Sequence, residues 1–261
     1  MTRLVKRPRL ADVLAFCGED PVERVFLEDV ARRGVGRFAA LADGDRLQAV
    51  CHLGANVVPS GRGTAAFAPL AKRDETRMIV GEEEAVTQLW EALRKRLPTP
   101  LDDRPGQPVY VLDRAPAAGG SGVRRATLDD LPLLVPACAA AYRDEVGVDA
   151  YAREPKVFER RTRLQIEHER SWVWREGDKI LFKAEASAWT EKAVQLQQVW
   201  VDPDLRGRGY ARRALADLSR LLLARTPVVC LFVRPENAPA IALYESVGMR
   251  RTITYRSVIF A

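Results

Sequence analysis

A short apolar run that leads through a glycine-rich turn into an amphipathic helix is the feature that most constrains this chain. The run VWVDPDLRGRGYA occupies residues 199–211, and alanines and leucines then recur at helical spacing as far as Leu222. Glycine allows the backbone to approach an anion closely, and the first amides of a helix have no partner within the helix. The segment therefore predicts a strand, an anion-binding turn and a helix, with a diphosphate as the ligand.

Two familiar phosphate-binding patterns do not fit this turn. No Lys-Ser or Lys-Thr pair follows the glycines, as a P-loop requires, and Arg212 stands where a dinucleotide-binding turn would have its third glycine. Neither a nucleoside triphosphate nor a dinucleotide is favoured.

A second segment completes a longer pattern. The apolar run VVCLFV at residues 228–233 predicts a buried strand, and the sequence RPENAPAIALYESVGM after it predicts a helix that contains Tyr244 and ends at Gly248. With the pattern Gln/Arg-x-x-Gly-x-Gly/Ala at Arg206, Gly209 and Ala211, these segments resemble the signature of the GNAT superfamily of acetyl-CoA-dependent N-acetyltransferases.

This resemblance covers residues 123–261 and implies acetyl-CoA as the cosubstrate, a direct attack by a primary amine, and no metal. The strand at residues 199–201 would hold the pantetheine arm, and the amides of the turn would hold the diphosphate. The residues implied in acetyl-CoA binding are Val199, Trp200, Val201, Arg206, Gly207, Arg208, Gly209, Tyr210, Ala211, Arg212, Asn237 and Tyr244.

The resemblance also implies that Tyr244 protonates the departing thiolate, although a tyrosine on this helix could equally be a core aromatic. The sequence does not identify the general base, and the candidates are two glutamates: Glu145, at the end of the first helix of this half, and Glu185, inside the apolar strand FKAEASA. Either glutamate could simply face solvent, and a water-mediated base stays open because the polar residues near the strand are glutamines.

The stretch of small and turn-forming residues around Gly120 divides the chain. We expect a first domain at residues 1–115, a linker at 116–122 and a second domain at 123–261. The first domain is similar to a degenerate acetyltransferase fold, because its PSGRGT loop at residues 59–64 lacks the motif, and it should bind acetyl-CoA poorly. The expected fold class is α/β (α+β), with two GNAT-like domains that are each a mixed, largely antiparallel sheet flanked by helices.

The composition argues against several other classes of protein. The longest apolar run is too short to span a bilayer, and the basic N-terminus lacks the apolar core of a secretory signal, so we expect a cytoplasmic protein. Four isolated cysteines predict buried thiols, and two histidines give little material for a metal site or a catalytic triad.

Two other functions stay open beside the transferase. One is a non-catalytic acyl-CoA-binding sensor. The other is a nucleic-acid-binding module, suggested by the net charge of +6, although no recognition motif accompanies that charge. The acceptor amine, either a small molecule or a protein amine, and the oligomeric state do not follow from the sequence.

Overall fold

A computed structural model describes residues 2–147 and 149–260 of the chain. The strands are β1 (Arg3–Val5), β2 (Arg37–Asp43), β3 (Arg46–Leu53), β4 (Asn56–Gly61), β5 (Met78–Glu82), β6 (Asp102–Leu112), β7 (Arg124–Arg125), β8 (Ser171–Glu176), β9 (Lys179–Trp189), β10 (Val194–Val201), β11 (Val229–Phe232) and β12 (Arg250–Ile259). The α-helices are α1 (Leu10–Glu19), α2 (Val25–Arg32), α3 (Glu83–Leu93), α4 (Leu131–Val146), α5 (Ala150–Arg153), α6 (Pro155–Glu167), α7 (Tyr210–Leu223) and α8 (Ala238–Ser246). Short 3₁₀ helices occupy Thr64–Leu70, Leu128–Asp130 and Pro203–Leu205.

The strands form one 12-stranded sheet in the order β1-β2-β3-β4-β5-β12-β6-β11-β10-β9-β8-β7. Each half of the chain ends in a strand that crosses to the other half. Strand β12, the last of the C-terminal half, pairs antiparallel with β5, and β6, the last of the N-terminal half, pairs antiparallel with β11. The two exchanged strands also pair with each other at the centre of the sheet. The halves are therefore joined by main-chain hydrogen bonds as well as by a linker.

Helix α2 also crosses between the halves. Its Val25 is fully buried against Val111, Ala188 and Cys230, which lie on strands of the central and C-terminal sheet. The Asp29 carboxylate accepts two hydrogen bonds from the Arg170 guanidinium, at 2.9 and 2.5 Å. Because this contact is bidentate and largely buried, it fixes the relative orientation of the two side chains and also pairs their charges. The N-terminal half therefore covers part of the C-terminal sheet.

Strand β10 leads through the turn into helix α7, and β11 into helix α8, as the sequence predicts, and β8, β9 and β10 form an antiparallel meander. Helix α4 continues without interruption through Pro136. Pro136 has no amide hydrogen, so the group that loses a helical hydrogen bond is the main-chain oxygen of Pro132, in the first turn of the helix.

The four cysteines are buried free thiols, as expected. In the part of the chain that the structure describes, no helix combines the length and the apolar character needed to cross a membrane.

The exchange of β6 predicts the outcome of cutting the chain at the linker. Residues 123–261 alone lack the buried side chains of Val109, Tyr110, Val111 and Leu112. Each is worth roughly 1.5–3 kcal/mol of burial, so their sum is comparable with the about 5–15 kcal/mol that stabilises a whole domain. We expect this fragment to aggregate when it is expressed alone, and to form a soluble one-to-one complex when residues 1–122 are co-expressed as a separate chain.

Residues 1–100 are the matched control, because they contain the other N-terminal elements but not β6. Gel filtration of the co-expressed pairs should show the complex with residues 1–122 only. Cooperative unfolding of residues 123–261 without any partner would contradict this prediction.

Candidate functional site

Strands β10 and β11 run parallel but pair over only two positions, Val194 with Val229 and Gln195 with Cys230. Beyond these pairs the two strands separate, so the second part of β10 has no strand on that side. A bulge interrupts the pairing of β10 with β9 between Gln197 and Trp200, and Gln198 at its centre has a φ of 53°. A left-handed φ is uncommon for a residue other than glycine. The bulge and the separation together present the backbone of β10 to a cavity of about 1810 Å³.

The turn between β10 and α7 forms the next part of the cavity wall. Gly207 and Gly209 have φ values of 74° and 81°, and Gly209 is the N-cap residue of the 14-residue helix α7. Among the described residues, no group accepts a hydrogen bond from the amides of Gly207, Gly209, Tyr210, Ala211 or Arg212. Free amides at a helix N-terminus, with the helix dipole behind them, stabilise an anion.

The three arginines of this turn differ in their surroundings. Arg206 forms an ion pair with Asp144 of α4 at 2.7 Å. The residues that line the cavity do not include Arg208. Arg212 does line it, and no described residue forms an ion pair with it. It is the arginine of the turn whose charge is available to a ligand.

The side chain of Trp200 is largely buried within the protein. It is 8% exposed and packs with residues of α4 and α6, including Cys138 and Phe158. Val199 and Val201 pack on the other face of the sheet, against the core that contains α7. For these three positions the structure therefore offers main-chain groups to the cavity rather than specific side-chain contacts.

Tyr244 lies on α8 and lines the same cavity. Its ring packs against Tyr110, with centroids 5.9 Å apart, and no residue in the described ranges hydrogen-bonds its hydroxyl group. Burial and, to a smaller extent, the negative charge of Glu145 raise the pKa of Tyr244 above its usual value. The phenol is therefore protonated at neutral pH and has a free hydroxyl group.

Asn237 precedes the same helix, and its side-chain oxygen accepts a hydrogen bond from the amide of Ala240 at 3.2 Å. This is an N-cap, which satisfies one of the free amides of α8. Asn237 also lines the cavity. It thus has a structural task that sequence reasoning did not assign to it.

Glu145 is held at the end of α4 by contacts from two directions. Gln198, at the bulge of β10, donates a hydrogen bond to its carboxylate at 2.5 Å. Arg104 of β6 donates to its main-chain oxygen at 3.1 Å and forms an ion pair with Asp102 at 2.6 Å. The carboxylate is exposed to the cavity. Sequence reasoning missed Arg104, because nothing near it in the sequence indicates that β6 lies beside α4.

Glu185 is in a different environment. It is 6% exposed, and its carboxylate lies 2.6 Å from the ammonium group of Lys183, which is fully buried. The thiol of Cys138 and the amide of Gln197 also contact this carboxylate. Burial acts to raise the pKa of Glu185, but the charge and hydrogen bond of Lys183 outweigh it, so the pKa is lowered. Glu185 thus does not point to solvent, and its affinity for a proton is reduced.

The corresponding turn of the N-terminal half follows β4. Strands β4 and β5 also pair in parallel over two positions. Here, however, the amides of Gly63 and Thr64 donate to the side-chain oxygen of Gln88, at 3.0 and 3.2 Å. A side chain of α3 therefore occupies the position that an anion would take in this half.

Two units that each contain a separated pair of parallel strands, joined in one sheet, define a tandem acetyltransferase fold. A tandem GNAT protein from the clavulanic acid biosynthesis pathway, solved without AcCoA, matches with a TM-score of 0.59 and 12% identity over 99% of this chain and 98% of that one. A GNAT-family acetyltransferase from Colwellia psychrerythraea matches with a TM-score of 0.58 and 11% identity over 99% and 100%. At these identities the likeness concerns the fold.

Models of protein-family sequences match two regions of the chain. Residues 138–249 match the acetyltransferase (GNAT) family, and residues 36–134 match a domain of unknown function, DUF4081. The chain therefore contains a GNAT-family acetyltransferase domain at residues 138–249, preceded by a DUF4081 domain at residues 36–134. The expected family and fold class are both confirmed.

Two curated relatives match over a shorter region. The N-alpha-acetyltransferase RimI of Mycobacterium tuberculosis is 47% identical over 57 residues, which are 22% of this chain and 35% of RimI. An uncharacterized protein of Mycobacterium leprae is 46% identical over 57 residues, which are 22% of this chain and 15% of that protein. The matched region is therefore about a third or less of either relative.

The charge of Glu145 raises the pKa of Tyr244, which predicts the effect of Glu145→Gln. Removing that negative charge takes away one of the two causes of the raised pKa, so Tyr244 should ionise at lower pH than in the unmodified chain. Ultraviolet titration of tyrosinate, assigned by difference against Tyr244→Phe, measures this shift. Asp149→Asn removes a carboxylate near the same end of α4 and is the control. An unchanged titration of Tyr244 in Glu145→Gln would contradict the proposed proximity of the two groups.

Proposed function

We propose that this protein transfers the acetyl group of acetyl-CoA to a primary amine by direct attack. The observation that carries the proposal is the set of unpartnered amides of Gly207 and of residues 209–212, beside the separated strands β10 and β11. The free hydroxyl group of Tyr244 lines the same cavity.

Acetyl-CoA fits the groups present. Its diphosphate would accept hydrogen bonds from the amides at the start of α7, with Arg212 beside them. Its pantetheine amides would pair with the main chain of β10, as an added strand does at a sheet edge. When bound, the thioester supplies an activated acetyl group. The N-terminal half lacks an equivalent set of free amides because Gln88 binds them, so we propose one acetyl-CoA site per chain.

Glu145 is the better of the two candidate bases. Its carboxylate is exposed to the cavity, whereas Glu185 is buried against Lys183 and has a lowered pKa. An amine must lose a proton to attack, and a carboxylate within reach accepts it. In the proposed step the amine nitrogen bonds to the acetyl carbon, the carbon–sulfur bond breaks, Glu145 receives the amine proton and the thiolate takes the proton of Tyr244.

The relative named an N-alpha-acetyltransferase supports an amine as the acceptor, although the match covers 35% of that protein. A sensor that binds acyl-CoA without transfer would need the same amides but neither Tyr244 nor Glu145. Amine-stimulated release of free thiol distinguishes the two functions.

Gly209→Asp tests the anion site. The substitution places a negative charge where the diphosphate would lie, while aspartate tolerates the left-handed φ of 81° better than most residues. Affinity for acetyl-CoA, measured by calorimetry, should fall by at least about tenfold, or roughly 1.4 kcal/mol.

Gly63→Asp is the matched control, because Gly63 has a φ of 75° at the corresponding turn of the N-terminal half. It should leave the affinity unchanged. If Gly209→Asp folds and binds acetyl-CoA as tightly as the unmodified chain, the turn is only the beginning of a helix.

Tyr244→Phe tests the acid. The ring and its packing are kept, so acetyl-CoA binding should change little. Loss of a general acid costs a factor of about 10²–10⁴ in rate, and the low end applies here because a thiolate is a tolerable leaving group. The measurement is steady-state thiol release with the best amine found.

Tyr110→Phe is the control, because Tyr110 packs on Tyr244 but directs its hydroxyl group to Glu245, at 3.0 Å. A kcat of Tyr244→Phe within about twofold of the unmodified chain, with chemistry rate-limiting, would exclude Tyr244 as the acid.

A further inference from the structure

The cavity continues beyond the acetyl-CoA site, across the sheet and into the N-terminal half. Besides β10 and the turn, it is lined by residues of α2, α4, α5, α6, β5, β6 and β12. Charged residues on this side of the cavity determine which acceptor can enter it with its amine.

The carboxylates on this side are mostly neutralised within the protein. Asp102 pairs with Arg104 at 2.6 Å, and Asp103 accepts two hydrogen bonds from Arg256, at 2.9 and 2.7 Å. Asp144 pairs with Arg206. The carboxylate of Glu23 is bound by Arg24 and Ser60. Glu145, the proposed base, is the carboxylate here whose charge no cation within the described ranges pairs with.

Two arginines on the same side have no such partner. Arg153, the last residue of α5, and Arg161, in the second turn of α6, both line the cavity. Their side chains donate no hydrogen bond and form no ion pair with any residue that the structure describes, whereas the nearby Arg143 is paired with Asp149. Arg161 lies near the wall formed by β9 and β10, because its charge acts on Glu185 there.

A guanidinium group in a cavity is stabilised best by a planar, bidentate anion such as a carboxylate. Arg77, another arginine of the cavity, is already bound to the main-chain oxygens of Asp74 and Thr76. Arg212 and Arg234 follow β10 and β11, on the acetyl-CoA side. Arg153 and Arg161, on α5 and α6, are thus two arginines of the cavity wall with no ion-pair or hydrogen-bond partner among the described residues.

We propose that the acceptor carries a carboxylate in addition to its amine, and that Arg153 and Arg161 bind this carboxylate. The inference rests on the proposed acetyl transfer. The carboxylate would keep the acceptor on the side of α5 and α6 while its amine reaches Glu145. A polyamine or another acceptor of purely positive charge would place its additional charges beside two unpaired arginines and should be a poor substrate.

The test compares pairs of acceptors in which one member carries a carboxylate and the other carries the corresponding amide. Alanine against alaninamide examines the carboxyl group of a free amino acid, and the tripeptide amides Ala-Glu-Glu against Ala-Gln-Gln examine side-chain carboxylates near a peptide N-terminus. We expect kcat/KM for the carboxylate member of at least one pair to be higher by about tenfold or more. Which pair shows the preference identifies the source of the carboxylate.

The double variant Arg153→Gln, Arg161→Gln should reduce that preference to within about threefold, mainly through a higher KM. Its affinity for acetyl-CoA and its thermal unfolding midpoint should not change. Arg163→Gln is the matched control, because Arg163 lies on the same helix but does not line the cavity, and it should keep the preference.

Transfer to amines with no preference for a carboxylate, or a preference that survives in the double variant, would overturn the inference and leave the proposed function standing. If no amine stimulates thiol release from acetyl-CoA, the proposed function fails, and the acceptor inference fails with it.

Discussion

The antiparallel pairing of β6 with β12 is the contact on which the rest of the molecule depends. These two strands are the last of their respective halves, and they lie side by side between β5 and β11. Because each also continues the sheet of the other half, neither half has a complete sheet alone. The same exchange brings Arg104 from the N-terminal half to the end of α4, where it donates to the main chain of Glu145. The N-terminal half thus takes part in the candidate site.

The turn that follows the short parallel pairing differs between the two halves in the hydrogen-bond partners of its amides. Both have a short parallel pairing followed by a glycine turn and a helical segment. In the C-terminal half the amides of that turn are free, whereas in the N-terminal half Gln88 of α3 binds two of them. A protein amide and an anion compete for the same donors, and an intramolecular partner is always present. A single side chain is therefore enough to convert a binding turn into a structural one.

The sequence nominated the turn at residues 206–212, Asn237 and Tyr244, because these residues match a family motif in which strand, turn and helix follow one another. It did not identify β6 as a strand, because Pro105, Gly106 and Pro108 interrupt its pattern and its polar first half resembles a loop. The contacts of Arg104, Lys183 and Gln88 could not be predicted from the sequence either. Each joins residues on different elements or depends on which face of a strand is buried, and only the assembled sheet determines this. Glu145 and Glu185 could be nominated from the sequence but not distinguished.

The electrostatic link between Glu145 and Tyr244 has a consequence for the order of the proton transfers. While Glu145 is ionised, its charge strengthens the hold of Tyr244 on its proton. On the proposed chemistry that hold weakens when Glu145 has received a proton from the attacking nucleophile, because the negative charge is then lost. Proton delivery to the leaving thiolate would thus follow deprotonation of the nucleophile, and the two proton transfers would be coupled through charge.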